Sequence, residues 1–478
     1  MSKLLIARNA AALLLSDVAV RAFSAAGVVL VARSLGPRPY GILSVAIAFA
    51  AIVAYLSDLG LTHLTVQQAT RPNSDIGGIL GTVSKVRAAL VVVVLLGSLV
   101  AIRTLYREPE QRTVMLMVVL PTICGVAMQG FAASYFWATQ QLHVTAFLKT
   151  ASQILSAVAL VVAFVFRWPV RSVAVIYGAT SLIGGFACLW LVRSRAPRIR
   201  GWNPGVLKGL TAFTICGITA AALPQIGPLI MERVTGAGQV GYFAAATRIP
   251  ALLYAIPGCL GMAWYPQLFR AGSQNAAQHF ALSADQLKLN AILGFGLSLP
   301  VALYSGPVIR VVLGRSWEAS TGPVLSLLCW MVVLNSLGTP FADALTTKGL
   351  QARRAWVYAM VLAIGSALFA VLAQTGGARG AAIAAIVTQM FLSAGLIAVN
   401  PSGLALLSAA AKRFLLPVGL ASASAFALSL ALPQSVISAA ICFAGYCVVA
   451  VASDLELRSA FRKAGPILYA QFRKEQTA

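Results

Sequence analysis

The stretch VRAALVVVVLLGSLVAIRT, residues 86–104, carries no charge between Arg87 and Arg103. A helix needs roughly 20 mostly apolar residues to cross a bilayer core, so this stretch is long enough to span one. Thirteen more read the same way, near residues 9–32, 40–60, 113–138, 145–166, 171–192, 208–230, 240–266, 288–309, 321–342, 355–374, 380–399, 413–432 and 435–452. Of the 478 residues 59% are hydrophobic and 10% are charged, against about a quarter charged in soluble domains. That composition excludes a water-soluble enzyme, a nucleic-acid-binding protein and a disordered chain. The fold class is all-α integral membrane, with about 14 transmembrane helices and connections too short for a soluble domain.

Thirty-six Lys and Arg against 12 Asp and Glu leave a net charge of +24. Cytoplasmic loops of membrane proteins collect basic residues, and an inside N-terminus puts roughly twice as many on that side as on the other. An even helix count then brings both termini to the cytoplasm. The densest cluster, Arg193, Arg195, Arg198, Arg200 and Lys208, falls between the sixth and seventh helices and reads first as a topology anchor touching anionic lipid. It divides the chain into an N-terminal six-helix lobe (1–192), a basic cytoplasmic linker (193–207) and a C-terminal six-helix lobe (208–400). Two additional transmembrane helices (401–452) and a cytoplasmic tail (453–478) follow. A repeat supports the division: Gly36, Gly41 and Ala46 recur as Gly236, Gly241 and Ala246, all at an offset of 200. Parallel halves of this kind are related by a pseudo-two-fold axis along the membrane normal.

Little else suggests chemistry. The seven cysteines lie in apolar stretches without a C-x-x-C pair and read as small core residues. His63, His143 and His279 are isolated, so no metal site is expected, and no cofactor motif is present. Residues 1–8 start like a signal peptide, but the apolar run after them contains Asp17 and Arg21 and reads as the first membrane helix.

The segment Val31-Ala32-Arg33-Ser34-Leu35-Gly36-Pro37-Arg38-Pro39-Tyr40-Gly41, followed by Ser57-Asp58-Leu59-Gly60-Leu61, resembles the opening of the Wzx-type polysaccharide flippase family. That family belongs to the superfamily that also holds multidrug exporters and the lipid II flippase. Val240 to Ile249 and Gly380 to Ala384 are similar too, and the resemblance covers roughly the first 400 residues. It implies two helical lobes rocking about a central cavity, and transport of lipid-linked oligosaccharide, typically on undecaprenyl diphosphate, from the cytoplasmic to the periplasmic leaflet. One departure is that Gln225-Ile226-Gly227-Pro228-Leu229 lacks the acid the family often carries in helix seven, which puts carboxylate-based ion coupling there in doubt.

All but two of the 36 basic residues fall in loops, tails or helix ends; Arg21 and Arg248 lie inside candidate helices. A charge at mid-bilayer costs about 2.5–3.5 kcal/mol on insertion scales and normally faces a bundle interior or a watery cavity. Asp17 is four residues before Arg21 and within pairing reach. The two either neutralise each other structurally or set Arg21 toward a diphosphate, with Asp17 holding it. Arg248, eight residues into helix eight, has no acid within helical reach, and its guanidinium suits phosphate oxygens; snorkelling to the surface is the alternative. The resemblance sets Arg21 and Arg248 on opposite walls of one cavity, since the lipid II flippase family has cavity arginines on those two helices.

Tyr135, Trp137 and Gln140 could stack on and hydrogen-bond a sugar, though an interfacial aromatic belt is the plainer reading. Asp58 reads as a turn cap or a gate pair. Asp343, Lys348, Arg353 and Arg354 read as a solvated cytoplasmic loop. Pro224, Pro228, Pro250, Pro257 and Pro266 interrupt helices seven and eight, as ordinary kinks or at a moving gate.

The expectation is a flippase of the cell inner membrane, not an enzyme, moving a polyprenyl-diphosphate-linked oligosaccharide for cell-surface polysaccharide biosynthesis. Its other partners would be membrane lipids and polysaccharide polymerase machinery, with no nucleic acid. An ion-coupled drug exporter would need more cavity carboxylates than this chain offers. A membrane glycosyltransferase or ligase would need larger outer loops with an exposed acid or His.

Overall fold

The computed structural model describes residues 23–69, 75–139, 141–194, 201–202, 207, 210–454 and 456–459, and it forms no strand among them. The N-terminal lobe comprises α1 (Phe23–Leu35), α2 (Pro37–Leu56), α3 (Leu61–Ala69), α4 (Ile76–Leu105), α5 (Pro109–Ala138), α6 (Leu142–Val165) and α7 (Val170–Arg193). The C-terminal lobe runs through α8 (Leu210–Ala222), α9 (Ile226–Thr235), α10 (Ala237–Gln274), α11 (Ala276–Leu303), α12 (Ser305–Val312), α13 (Arg315–Thr347) and α14 (Gln351–Val399). Two further helices, α15 (Gly403–Ala431) and α16 (Val436–Ser453), pack against each other and against α11.

Eleven helices among the described residues are long and apolar enough to cross a membrane. Fourteen separate spans are not seen as such, for three reasons. The first expected helix begins outside the described residues. The segment 208–230 divides into α8 and α9, 13 and 10 residues long, at a turn containing Pro224. The expected helices 355–374 and 380–399 are both contained in α14, whose 49 residues would reach about 74 Å if straight, more than twice a bilayer core. It is not straight: Gly377 leaves helical geometry at φ 55°, ψ −135°. The two limbs run back along each other, so that a Cβ on Gly365 would meet Thr388 and one on Gly395 would meet Val357. Only glycine adopts that φ without strain.

The repeat at offset 200 is built into the contact between the lobes. Gly36 (φ 78°, ψ 174°) precedes α2, and Gly236 (φ 84°, ψ 166°) precedes α10, with nearly the same backbone. The two helices then cross with no side chain between them. A Cβ on Gly41 would fall on the carbonyl of Ala237, and one on Gly241 on the carbonyl of Pro37, so each half makes the other's contact. Small residues permit such close backbone approach where lipid supplies no hydrophobic drive between helices. Around the crossing one apolar core takes Tyr40, Val114 and Val118 from the first lobe and Val240, Phe243 and Trp317 from the second.

Candidate functional site

Behind that crossing lies a cavity of about 740 Å³, walled by α2, the broken α8–α9 pair, α10, α13 and α14. Pro224, Gln225 and Pro228 line it, so the break in helix seven lies at its edge. The α2 and α8 walls are mostly apolar, with Ile47, Ala48, Ala220 and Leu223. Most polar groups come from the second lobe: Arg248 and Tyr254 on α10, Asn335, Thr339 and Asp343 on α13, and Arg354 and Gln389 on α14, with Ser44 added by α2. A smaller, largely apolar recess of about 370 Å³ shares Ile47 and continues toward the first lobe past Tyr55, Thr122 and Tyr177.

Because α10 begins at Ala237, Arg248 stands about 16 Å along it, deeper than expected and near half the thickness of a bilayer core. Its Nε donates to the Tyr40 hydroxyl at 3.3 Å, across the lobe boundary, and Tyr177 is close enough to interact with its charge. No carboxylate pairs with it among the described residues. The guanidinium is therefore a half-buried cation flanked by phenols, with forked donors left for an anion.

The far end of the cavity corrects a sequence expectation. Helix α13 runs to Thr347, beyond the expected end at 342, so Asp343 is not in a solvated loop; it is 5% exposed and lines the cavity. Gln286 Nε2 on α11 donates to its Oδ2 at 2.8 Å. Arg354 lines the cavity too, bonding Thr346 Oγ1 at 2.9 Å with its guanidinium 5.3 Å from the Tyr358 ring centre. Lys348 and Arg353 remain at the helix ends, reaching Ser402 Oγ and the Val399 carbonyl. The signal missed in the sequence was an acid among bases, which reads like an ordinary loop.

The crossing end is sealed by bonds between lobes. Gln111 Nε2 donates to Glu232 Oε1 at 2.9 Å, and Arg233 lies 4.5 Å over the Tyr106 ring. Burial, with the Glu232 charge adding to it, pushes the Tyr106 phenol up to about 12. Trp317 packs edge-on against Tyr40 and Tyr242, ring centres 6.3 and 5.8 Å apart, so both halves of the repeat share one indole.

Of the other candidates, Asp17, Arg21 and Gln140 lie outside the described residues. Tyr135 is buried with Leu80, Phe136 and Cys188, and Trp137 is half-buried; the structure brings neither to the cavity. Asp58 ion-pairs with Arg87 of α4 and accepts from Thr62 Oγ1 at 2.7 Å, within the first lobe. Among the described residues no cluster of three His, Cys, Asp or Glu side chains could hold a metal.

A family model described as "Polysaccharide biosynthesis protein" matches residues 6–271, more than half of the chain. The curated "Putative O-antigen transporter" of Shigella flexneri is 23% identical over 175 residues, which span 36% of this chain and 40% of that relative's length. Among solved structures, "Lipid II flippase MurJ, inward closed conformation" superposes with a TM-score of 0.76 at 13% identity, covering 94% of this chain and 98% of that one. An inward-facing multidrug resistance MATE family transporter of the MOP superfamily gives 0.66 at 14% identity, covering 82% and 96%. These likenesses give the fold: a two-lobed helical transporter bundle whose named counterparts are transporters and flippases rather than enzymes.

Proposed function

We propose that this chain, which belongs to the polysaccharide biosynthesis protein family, is a flippase for a lipid-linked oligosaccharide. It would carry a polyprenyl-diphosphate-linked glycan from the cytoplasmic to the outer leaflet of the inner membrane by alternating access, with both termini cytoplasmic and polymerase machinery using the product. The observation that carries this reading is Arg248, a half-buried guanidinium at the boundary of two lobes, with no carboxylate partner among the described residues. A diphosphate is the part of such a cargo that crosses a low-dielectric interior at greatest cost, and a forked cation offsets that cost. Binding must stay moderate, since the cargo has to leave on the other side. On this reading, with both termini cytoplasmic, the seal at the α2–α10 crossing would close the outer end of the cavity.

The test is Arg248→Gln in cells that depend on the protein. Surface polysaccharide should fall and lipid-linked glycan should accumulate on the cytoplasmic leaflet, with Arg248→Lys restoring part of the export. Unchanged export in Arg248→Gln would sink the reading.

A second reading, ion-coupled export of cationic compounds, is favoured by Asp343, a cavity carboxylate on a fold shared with MATE transporters. It requires that Asp343→Asn abolish efflux of a cationic dye while Arg248→Gln leaves efflux intact.

A further inference from the structure

The cavity has two polar poles separated along α10. Arg248 is one. The other is set by Asp343, whose Oδ2 would lie 3.5 Å from a Cβ at Gly261, a position about 20 Å further along the helix than Arg248. Asn335 and Gln389 line the same cavity, and neither side-chain amide hydrogen-bonds to another described residue; Gln389 is only 9% exposed. Buried polar side chains nearly always have partners, so a bare, buried amide turned to a cavity is a donor and acceptor left for something that enters it. Facing these groups is the apolar wall of Ile47, Ala48 and Leu223.

The chemistry of the second pole differs from that of the first. An amide gives and accepts at fixed spacing, a carboxylate accepts from two neighbouring hydroxyls, and a guanidinium donates in a fork. Tyr358, under Arg354, adds a ring that can cover the C–H face of a pyranose. A prenyl tail has no use for such groups, and a phosphate would be repelled by Asp343. A polyol uses all of them. The separation of the poles suits a short oligosaccharide better than a single sugar.

We propose that Asn335, Asp343, Arg354 and Gln389, with the Tyr358 ring, form a glycan subsite that selects the oligosaccharide, while Arg248 holds the diphosphate common to all such carriers. This rests on the flippase reading. It moves sugar recognition from the end of α5 to the wall formed by α13 and α14, and it makes specificity and carrier binding separable.

The experiment compares Asn335→Leu/Gln389→Leu with Arg248→Gln in the full chain. One readout is export of the cell's own polysaccharide; the other is binding of farnesyl diphosphate, a glycan-free probe, to protein in lipid nanodiscs. The amide variant should lose at least tenfold in export while binding farnesyl diphosphate within twofold of the parent, which also certifies its fold. Arg248→Gln should lose both. Asn335→Gln, which keeps an amide, should recover part of the export. Parental export by the amide variant, or loss of farnesyl diphosphate binding equal to that of Arg248→Gln, would overturn the subsite. If the parent and Arg248→Gln bind farnesyl diphosphate alike, the diphosphate role of Arg248 fails, and thermal stability takes over as the fold control. The subsite then stands or falls on whether the stable amide variant loses export of the native glycan but still exports a foreign lipid-linked oligosaccharide.

Discussion

Two arginines inside the helical bundle, one buried in the first lobe and one half-buried in the second, face opposite circumstances. Arg87 of α4 is 3% exposed and ion-paired with Asp58, with Thr62 Oγ1 accepting at 3.0 Å. Arg248 of α10 has a phenol from the other lobe and no carboxylate among the described residues. The paired arginine sits inside one lobe, where nothing needs to enter. The unpaired one sits on a cavity between lobes. An uncompensated buried charge is costly, and a fold that retains one at a cavity does so where a ligand can complete it.

If that contrast is right, the largest effect on function belongs to the unpaired residue. Arg248→Gln should cut export at least tenfold while losing no more thermal stability than Tyr40→Phe, which breaks the same hydrogen bond, read from surface polysaccharide and from the melting of purified protein. A parallel fall in stability would make Arg248 as structural as Arg87.

The largest effect on stability belongs to the pair. Removing one partner strands the other, so Arg87→Met should destabilise by about 3–5 kcal/mol. Protein would be lost from the membrane, and any export deficit should track its amount. The double variant Asp58→Leu/Arg87→Met should regain most of the stability, because a matched apolar pair has no charge to desolvate. Failure of that recovery would give Asp58 a role beyond pairing.

A smaller effect follows at Tyr40. Tyr40→Phe removes the acceptor for Arg248 Nε, a hydrogen bond to a charge worth about 1.5–3 kcal/mol. Part of that returns when the freed guanidinium binds anion, so export should change less than in Arg248→Gln, as initial rates would reveal.

The smallest effect lies where charges are paired just past the end of α16. Lys288 Nζ contacts Asp454 Oδ2 at 2.6 Å and Glu456 Oε2 at 2.8 Å, tying the segment after α16 to α11. Burial works to raise the Asp454 carboxyl, but the Lys288 ammonium and the backbone N–H groups of Leu457 and Glu456 outweigh it and hold it below its ordinary value. A depressed carboxylate stabilises above its unfolded pKa and loses that contribution as pH falls through the folded one. Protection of the 454–459 backbone from hydrogen exchange should therefore be flat from pH 7 to about 5 and fall only below about 4. Loss of protection near pH 6 would contradict the assignment.

The helical, membrane-spanning fold was legible because hydropathy over about 20 residues is a local property. The pseudo-repeat was legible through Gly36, Gly41, Gly236 and Gly241, because close backbone approach admits only glycine at Gly41 and Gly241 and a positive φ favours it at Gly36 and Gly236. Arg248 stood out for lack of an acid nearby. Asp343 did not, because its burial depends on α13 running past an apolar window and on Gln286 arriving from α11. The run around Tyr135 was ambiguous for a related reason: an aromatic, amide-rich run looks the same whether it faces a cavity or, as at Tyr135, packs against another helix.

The offset of 200 that joins Gly41 to Gly241 also aligns Ala48 with Arg248, and both line the cavity. A perfect duplicate would set a guanidinium on each side of the axis, and an anion between them would have two equivalent orientations. Replacing one by a methyl group removes that degeneracy. On the flippase reading, a cargo with a charged link and two dissimilar arms would then favour one orientation across the axis, so that its arms are told apart before either is recognised.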